Sequence, residues 1–195
     1  MSPEKGKHLF SLLYRGRKIA RRYLVTNGFD GTLTMLGLMT GFYVSGTQEL
    51  GVAINACLGA AIALFISGFS SAYLSEKAER TEELRELEQA LLVDLKESYY
   101  GEASRYLPFL IALVNGLSPL FLSLLIISPL FLSYHGIEWP CSPFLLAIAM
   151  ALFCIFLLGV YLGEISKQFW LYAGFRTVLI AMILVAIILL FDFCN

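Results

Sequence analysis

Glu76, Glu79, Glu83 and Glu86 recur at three- and four-residue spacing in a strongly apolar chain, and one further carboxylate, Asp30, stands at the edge of an apolar run. On a helix, residues three and four apart are neighbours, so such a row gathers carboxylate oxygens on one face. Oxygen donors suit hard divalent cations such as magnesium, manganese and ferrous iron. The candidate metal ligands are therefore Glu79, Glu83 and Glu86, with Asp30 as a separate one. Lys77, Arg80 and Arg85 interleave with these acids and offer a competing use, a solvated face laced with ion pairs.

Asp30 lies in Asn27-Gly28-Phe29-Asp30-Gly31-Thr32-Leu33-Thr34. An ionisable group at membrane depth is costly and is a functional candidate by default. An aspartate opening a helix is also a favoured cap for its free amides, and the two roles are compatible. Met35 and Met39 follow one turn apart, where thioethers contact a borderline metal or simply pack. Asn115, in Asn115-Gly116-Leu117-Ser118-Pro119, is a third group that can border an ion route, because a proline frees helix carbonyls; a packed kink is the alternative.

The elements that must position these groups are membrane helices. Hydrophobic residues make up 58% of the 195-residue chain, above the roughly 45–50% of soluble domains. Five stretches, Phe29–Ser45, Val52–Leu74, Tyr106–Ser133, Pro143–Leu162 and Trp170–Phe191, are apolar enough to be read as crossings of the bilayer. In lipid the backbone must satisfy its own polar groups, so they are helices. The reading is an all-α integral membrane protein with lipid as its first partner.

Charge sets the expected topology. Lys5, Lys7, Arg15, Arg17, Lys18, Arg21 and Arg22 precede the first stretch, Lys77, Arg80, Arg85, Lys96 and Arg105 lie between the second and third, and Lys167 lies between the last two. The other connections and the tail contain no Lys or Arg, which places the N-terminus in the cytoplasm and the C-terminus outside. The layout is then residues 1–28 as a basic cytoplasmic segment, 29–75 as the first two spans, 76–105 as an acidic cytoplasmic helix, 106–191 as three further spans and 192–195 as an outer tail. Within the first segment, His8–Val25 reads as a basic amphipathic helix along the inner leaflet, with Leu9, Phe10 and Leu13 among its apolar residues. A cleaved signal peptide is a poor reading, because the basic region is about as long as the apolar span after it.

Cys57, Cys141, Cys154 and Cys194 form no CxxC pair; two lie within spans, where they pack, and Cys141 and Cys194 share the outer side and are open to bridging. Gly37 and Gly41, with the small residues Ala56, Gly59, Ala60, Gly68 and Ala72, permit close helix approach and suggest a homodimer. Glu164 and Arg176 flank the last connection and are placed to pair. No HExxH, GxSxG or phosphate-loop pattern occurs, so no catalytic residue, cofactor or nucleic-acid partner is expected.

The chain resembles the family of vacuolar iron transporters and yeast calcium-cross-complementer proteins, as a short prokaryotic-type member. Asp30-Gly31-Thr32-Leu33-Thr34 with Gly37 and Gly41 resembles that family's opening of span one, and Tyr73-Leu74-Ser75 followed by Glu79 resembles its exit from span two. Asn115-Gly116-Leu117-Ser118-Pro119 and Leu157-Leu158-Gly159 fit its third and fourth spans, so the likeness runs over residues 27–191. What the resemblance implies is a homodimer moving ferrous iron or manganese out of the cytoplasm, with proton exchange. Asp30 carries over cleanly, while Ala60, Gly68 and Ala72 stand where family members carry ion-route side chains. Those departures support an alternative: a non-transporting scaffold or regulator of the same fold that recruits a partner through its cytoplasmic helix.

Overall fold

The computed structural model describes residues 3–47, 49–138 and 140–193, the side chains of 3–18 and of residue 99 excepted. Cys194 and the proposed bridge to it lie outside the described residues, as do the apolar side chains Leu9, Phe10 and Leu13. All the regular structure described is helical: α1 (Pro3–Val44), α2 (Leu50–Leu91), α3 (Tyr99–Tyr134), α4 (Pro143–Ile165) and α5 (Trp170–Phe193).

Helices α2, α3, α4 and α5 are each long and apolar enough to cross a membrane. The expected first span is not among them. It is the C-terminal part of α1, where Asp30, Gly31, Thr32, Thr34, Gly37, Thr40 and Gly41 dilute the apolar residues, and its N-terminal part carries the basic cluster. Nor is there a break at residue 28: amphipathic segment and apolar stretch are one continuous helix.

Three exits use the same local device. Gly46 (φ +66) and Gly136 (φ +90) end α1 and α3 in the left-handed region, and Lys167 (φ 56) ends α4 in the same way. In each, the next residue's amide reaches back five positions, as Thr47 N–H to the Phe42 carbonyl (3.2 Å), Ile137 to Leu132 (3.1 Å) and Gln168 to Gly163 (2.9 Å). These bonds satisfy carbonyls that the helix end leaves free.

The acidic stretch is not one helix to residue 105, which corrects the sequence reading. α2 stops at Leu91, the chain turns through residues 92–98, and α3 starts at Tyr99. Leu92 takes a left-handed conformation (φ 53), and the Glu88 carboxylate accepts the Leu95 amide at 2.9 Å. Ser98 Oγ then accepts the Gly101 amide at 3.4 Å as a cap for α3. Leu95 therefore lies in the turn.

The chain divides into two compact units, Met1–Leu24 with Phe65–Leu117, and Val25–Leu64 with Ser118–Asn195. In the second, Met35, Leu36 and Met39 of α1 pack with Ile126, Ile127 and Leu130 of α3. Alanines such as Ala53, Ala147 and Ala181 from the other three helices make room for them. Van der Waals packing drives helix association in lipid, so small residues at the seams matter. On α5, Leu179 (67%), Leu190 (63%) and Phe191 (69%) remain exposed, apolar surface of the kind that lipid or a protein partner covers.

The α4 and α5 seam is made of Gly159 and Gly163 against Thr177 and Ala173. The Thr177 hydroxyl lies 2.7 Å from the Gly174 carbonyl and 3.2 Å from the Ile155 carbonyl of α4. Glu164 and Arg176 stand one residue off this seam on their helices and are exposed. The ion pair expected between them does not form among the described residues, because close backbone contact occupies the face between the helices.

In the first unit, α2 and α3 meet at Gly68 and Gly116. A Cβ on Gly116 would come within 2.8 Å of the Phe65 carbonyl, and Asn115 Nδ2 donates to the Gly68 carbonyl at 2.7 Å. Replacing Asn115 with alanine should cost about 1 kcal/mol, the scale of interhelical hydrogen bonds in membranes, and thermal unfolding in detergent measures it.

Candidate functional site

Asp30 sits on α1 with its side chain exposed and in no ion pair among the described residues. Its carbonyl accepts the Thr34 hydroxyl at 2.7 Å, and Thr34 is exposed beside it. A helical step of about 100° puts Asp30, Thr34, Gly37 and Gly41 on one stripe. A Cβ built on Gly41 meets nothing within 4 Å, so the stripe is open at its far end. Asp30 is not a helix cap, because α1 begins far upstream at Pro3 and its amides are already inside the ladder. That leaves Asp30 and Thr34 exposed on a stripe that is open again at Gly41, while a Cβ on Gly37 between them would face Ile188 and Leu184 of α5 at 3.9 Å.

Gly31 fixes how this stripe is presented. A Cβ there would lie 2.6 Å from Pro119 Cβ and 2.7 Å from its Cα, so α1 and α3 touch backbone to backbone. Thr32, fully buried, spends its hydroxyl on the Gly28 carbonyl at 2.6 Å. Met35 and Met39, the thioethers considered for an ion route, are both fully buried in the core. Asn115 is buried too, its amide given to Gly68. α3 passes through Pro119 as one helix, so this segment packs.

The carboxylate row of α2 divides by environment. Glu79, Glu83 and Glu86 are exposed, Glu83 accepting Arg80 Nη1 at 2.6 Å. Glu76 is only 1% exposed. Among the described residues no group of three or more His, Cys, Asp or Glu side chains converges to hold a metal within one chain. Glu79, Glu83 and Glu86 thus form no chelating set among the described residues.

Between α2 and α3 lies a cavity of about 450 Å³ lined by Arg80, Glu83, Glu86, Leu87, Ala90, Tyr100 and Leu107. Its lining recurs at three- and four-residue spacing on α2 and two turns apart on α3, which is why these residues share one groove. The burial of Glu76 and its tie to Arg80 were the features least expected from sequence. The available signal was position: Glu76 is the acid nearest the apolar stretch ending at Leu74, four residues before Arg80. Cys57 and Cys154 are free and buried, and Cys141 is free and exposed.

No protein-family model matches the chain, and no solved structure matches it. A protein of Methanocaldococcus jannaschii, Uncharacterized protein MJ0645, is 32% identical to it over 160 residues, covering 80% of this chain and 80% of that protein.

Proposed function

We propose that this chain, which belongs to one family with the Methanocaldococcus jannaschii protein, is a multi-pass membrane transporter of divalent metal cations. Ferrous iron or manganese leaves the cytoplasm by exchange for protons. The observation that carries the reading is Asp30, an exposed carboxylate on α1 with no ion-pair partner among the described residues. Such a charge is expensive in an apolar setting unless an ion, water or a second protein surface meets it.

The α1 stripe of Asp30, Thr34 and Gly41 is the surface through which two copies associate, with α1 as the fifth crossing and the N-terminus in the cytoplasm. Glu79, Glu83 and Glu86 raise the local cation concentration by their charge. Asp30 binds by ligand exchange and weakly enough to let the ion go, and its protonation from the other side promotes release. In a prokaryotic source the membrane is the cell membrane.

A second reading, a non-transporting scaffold that recruits a partner through the α2 arm, is favoured by a separate observation. At Gly68 a Cβ would touch the Asn115 carbonyl at 3.4 Å and Gly116 Cα at 3.5 Å, so that position lies in the seam between α2 and α3 and serves helix packing. Flux separates the two. Purified chain in liposomes holding a metal-sensitive dye should admit ferrous iron or manganese faster than empty liposomes, and faster with an opposing proton gradient. A folded chain silent toward these ions and calcium favours the scaffold.

A further inference from the structure

Glu76 lies two residues beyond the apolar stretch of α2, in its polar arm, and is almost wholly withdrawn from solvent at 1% exposure. Its nearest cation is Arg80, one turn on, with Nη2 3.5 Å from Glu76 Oε2. That distance is too long for a strong hydrogen bond. Arg80 instead donates from Nη1 to the exposed Glu83 at 2.6 Å. Glu76 Oε2 and Arg80 Nε are both buried without a hydrogen-bond partner among the described residues. One guanidinium thus stands between two carboxylates and serves the outer one, while the buried one is undersupplied.

Among the described residues, the charged groups acting on Glu76 are Arg80 and Glu79 from α2 and Arg22 from α1. Burial first, and then the like charge of Glu79, push the Glu76 carboxyl up, against the pull of Arg80 and the weaker pull of Arg22. A buried carboxylate with an incomplete set of donors is more comfortable as the neutral acid.

We propose that Glu76 is a proton-binding site that decides which carboxylate Arg80 serves. With the proton on, Glu76 is neutral and Arg80 is left to Glu83, as in this structure. When the proton leaves to solvent, the buried anion draws Arg80 inward and away from Glu83. Arg80 and Glu83 both line the groove between α2 and α3, so the proton on Glu76 changes the wall of that groove. The sign follows from linkage: the arrangement seen here is most stable while Glu76 is protonated, and loses stability as pH rises through its elevated pKa. None of this depends on what the spans carry.

Infrared titration of the full chain in lipid nanodiscs tests it, by following the carbonyl stretch of protonated carboxyl groups. The wild type should show one such band disappearing above the ordinary glutamate range. Glu76→Gln should remove that band. Glu83→Gln, at an exposed position that does not threaten folding, frees Arg80 for Glu76 and should move the midpoint down by about one pH unit. The proposal is overturned if the wild type shows no such band, if the band persists in Glu76→Gln, or if Glu83→Gln leaves its midpoint unmoved. Should Glu76→Gln fail to fold, the Glu83→Gln shift alone decides.

Discussion

Proteoliposomes carrying Asp30→Ala should lose metal-selective flux by about 100-fold or more, since losing even a ligand's supporting partner costs a metal site up to about that much. Folding should be untouched. Asp30 is exposed and its side chain makes no ion pair among the described residues, so the exchange falls in the class of surface substitutions worth within about 0.5 kcal/mol. An unchanged melting curve beside absent flux would therefore locate the defect in ion handling. Asp30→Glu, which keeps the carboxylate on a longer stem, should recover part of the flux, whereas Asp30→Asn should not. Full flux in Asp30→Ala would remove the carboxylate from the route and with it the main support for transport.

The helical character of the chain and the four helices long and apolar enough to cross a membrane were legible because long apolar runs leave the backbone few alternatives in lipid. The helix exits were partly legible, through Gly46 and Gly136, while Lys167 carries no such mark. What escaped the sequence was the partner side of each contact. Met35 and Met39 look alike as ligands or as packing, and the difference lies in α3, whose Ile126, Ile127 and Leu130 share the core with them. Likewise Glu76 differs from Glu79 only in which way a helix turn points it, yet one is buried and the other solvated. The turn at residues 92–98 was hidden because it contains neither glycine nor proline. It is held instead by carboxylates, Glu88 on the Leu95 amide and Asp94 on the Lys96 amide at 2.9 Å.

Gly31→Ala and Gly41→Ala, the same change ten residues apart on one helix, should have opposite signs. At Gly31 the new methyl meets Pro119 at 2.6 Å from Cβ and 2.7 Å from Cα, with no flexible side chain to give way. α1 and α3 must part locally, at the 1–3 kcal/mol typical of overpacking, so about 2 kcal/mol is the expected loss. At Gly41 the methyl enters open space. There the gain in helix propensity, about 0.5–1 kcal/mol over glycine, should raise the stability of the folded chain. Thermal melts in detergent read both. The second variant carries more information, because the open stripe is also where two copies are proposed to meet. If they do, Gly41→Ala should stabilise the monomer and weaken the dimer together, seen as a higher melting temperature with a smaller mass by light scattering. A Gly41→Ala chain that melts higher and keeps its oligomeric state would move the association surface off α1.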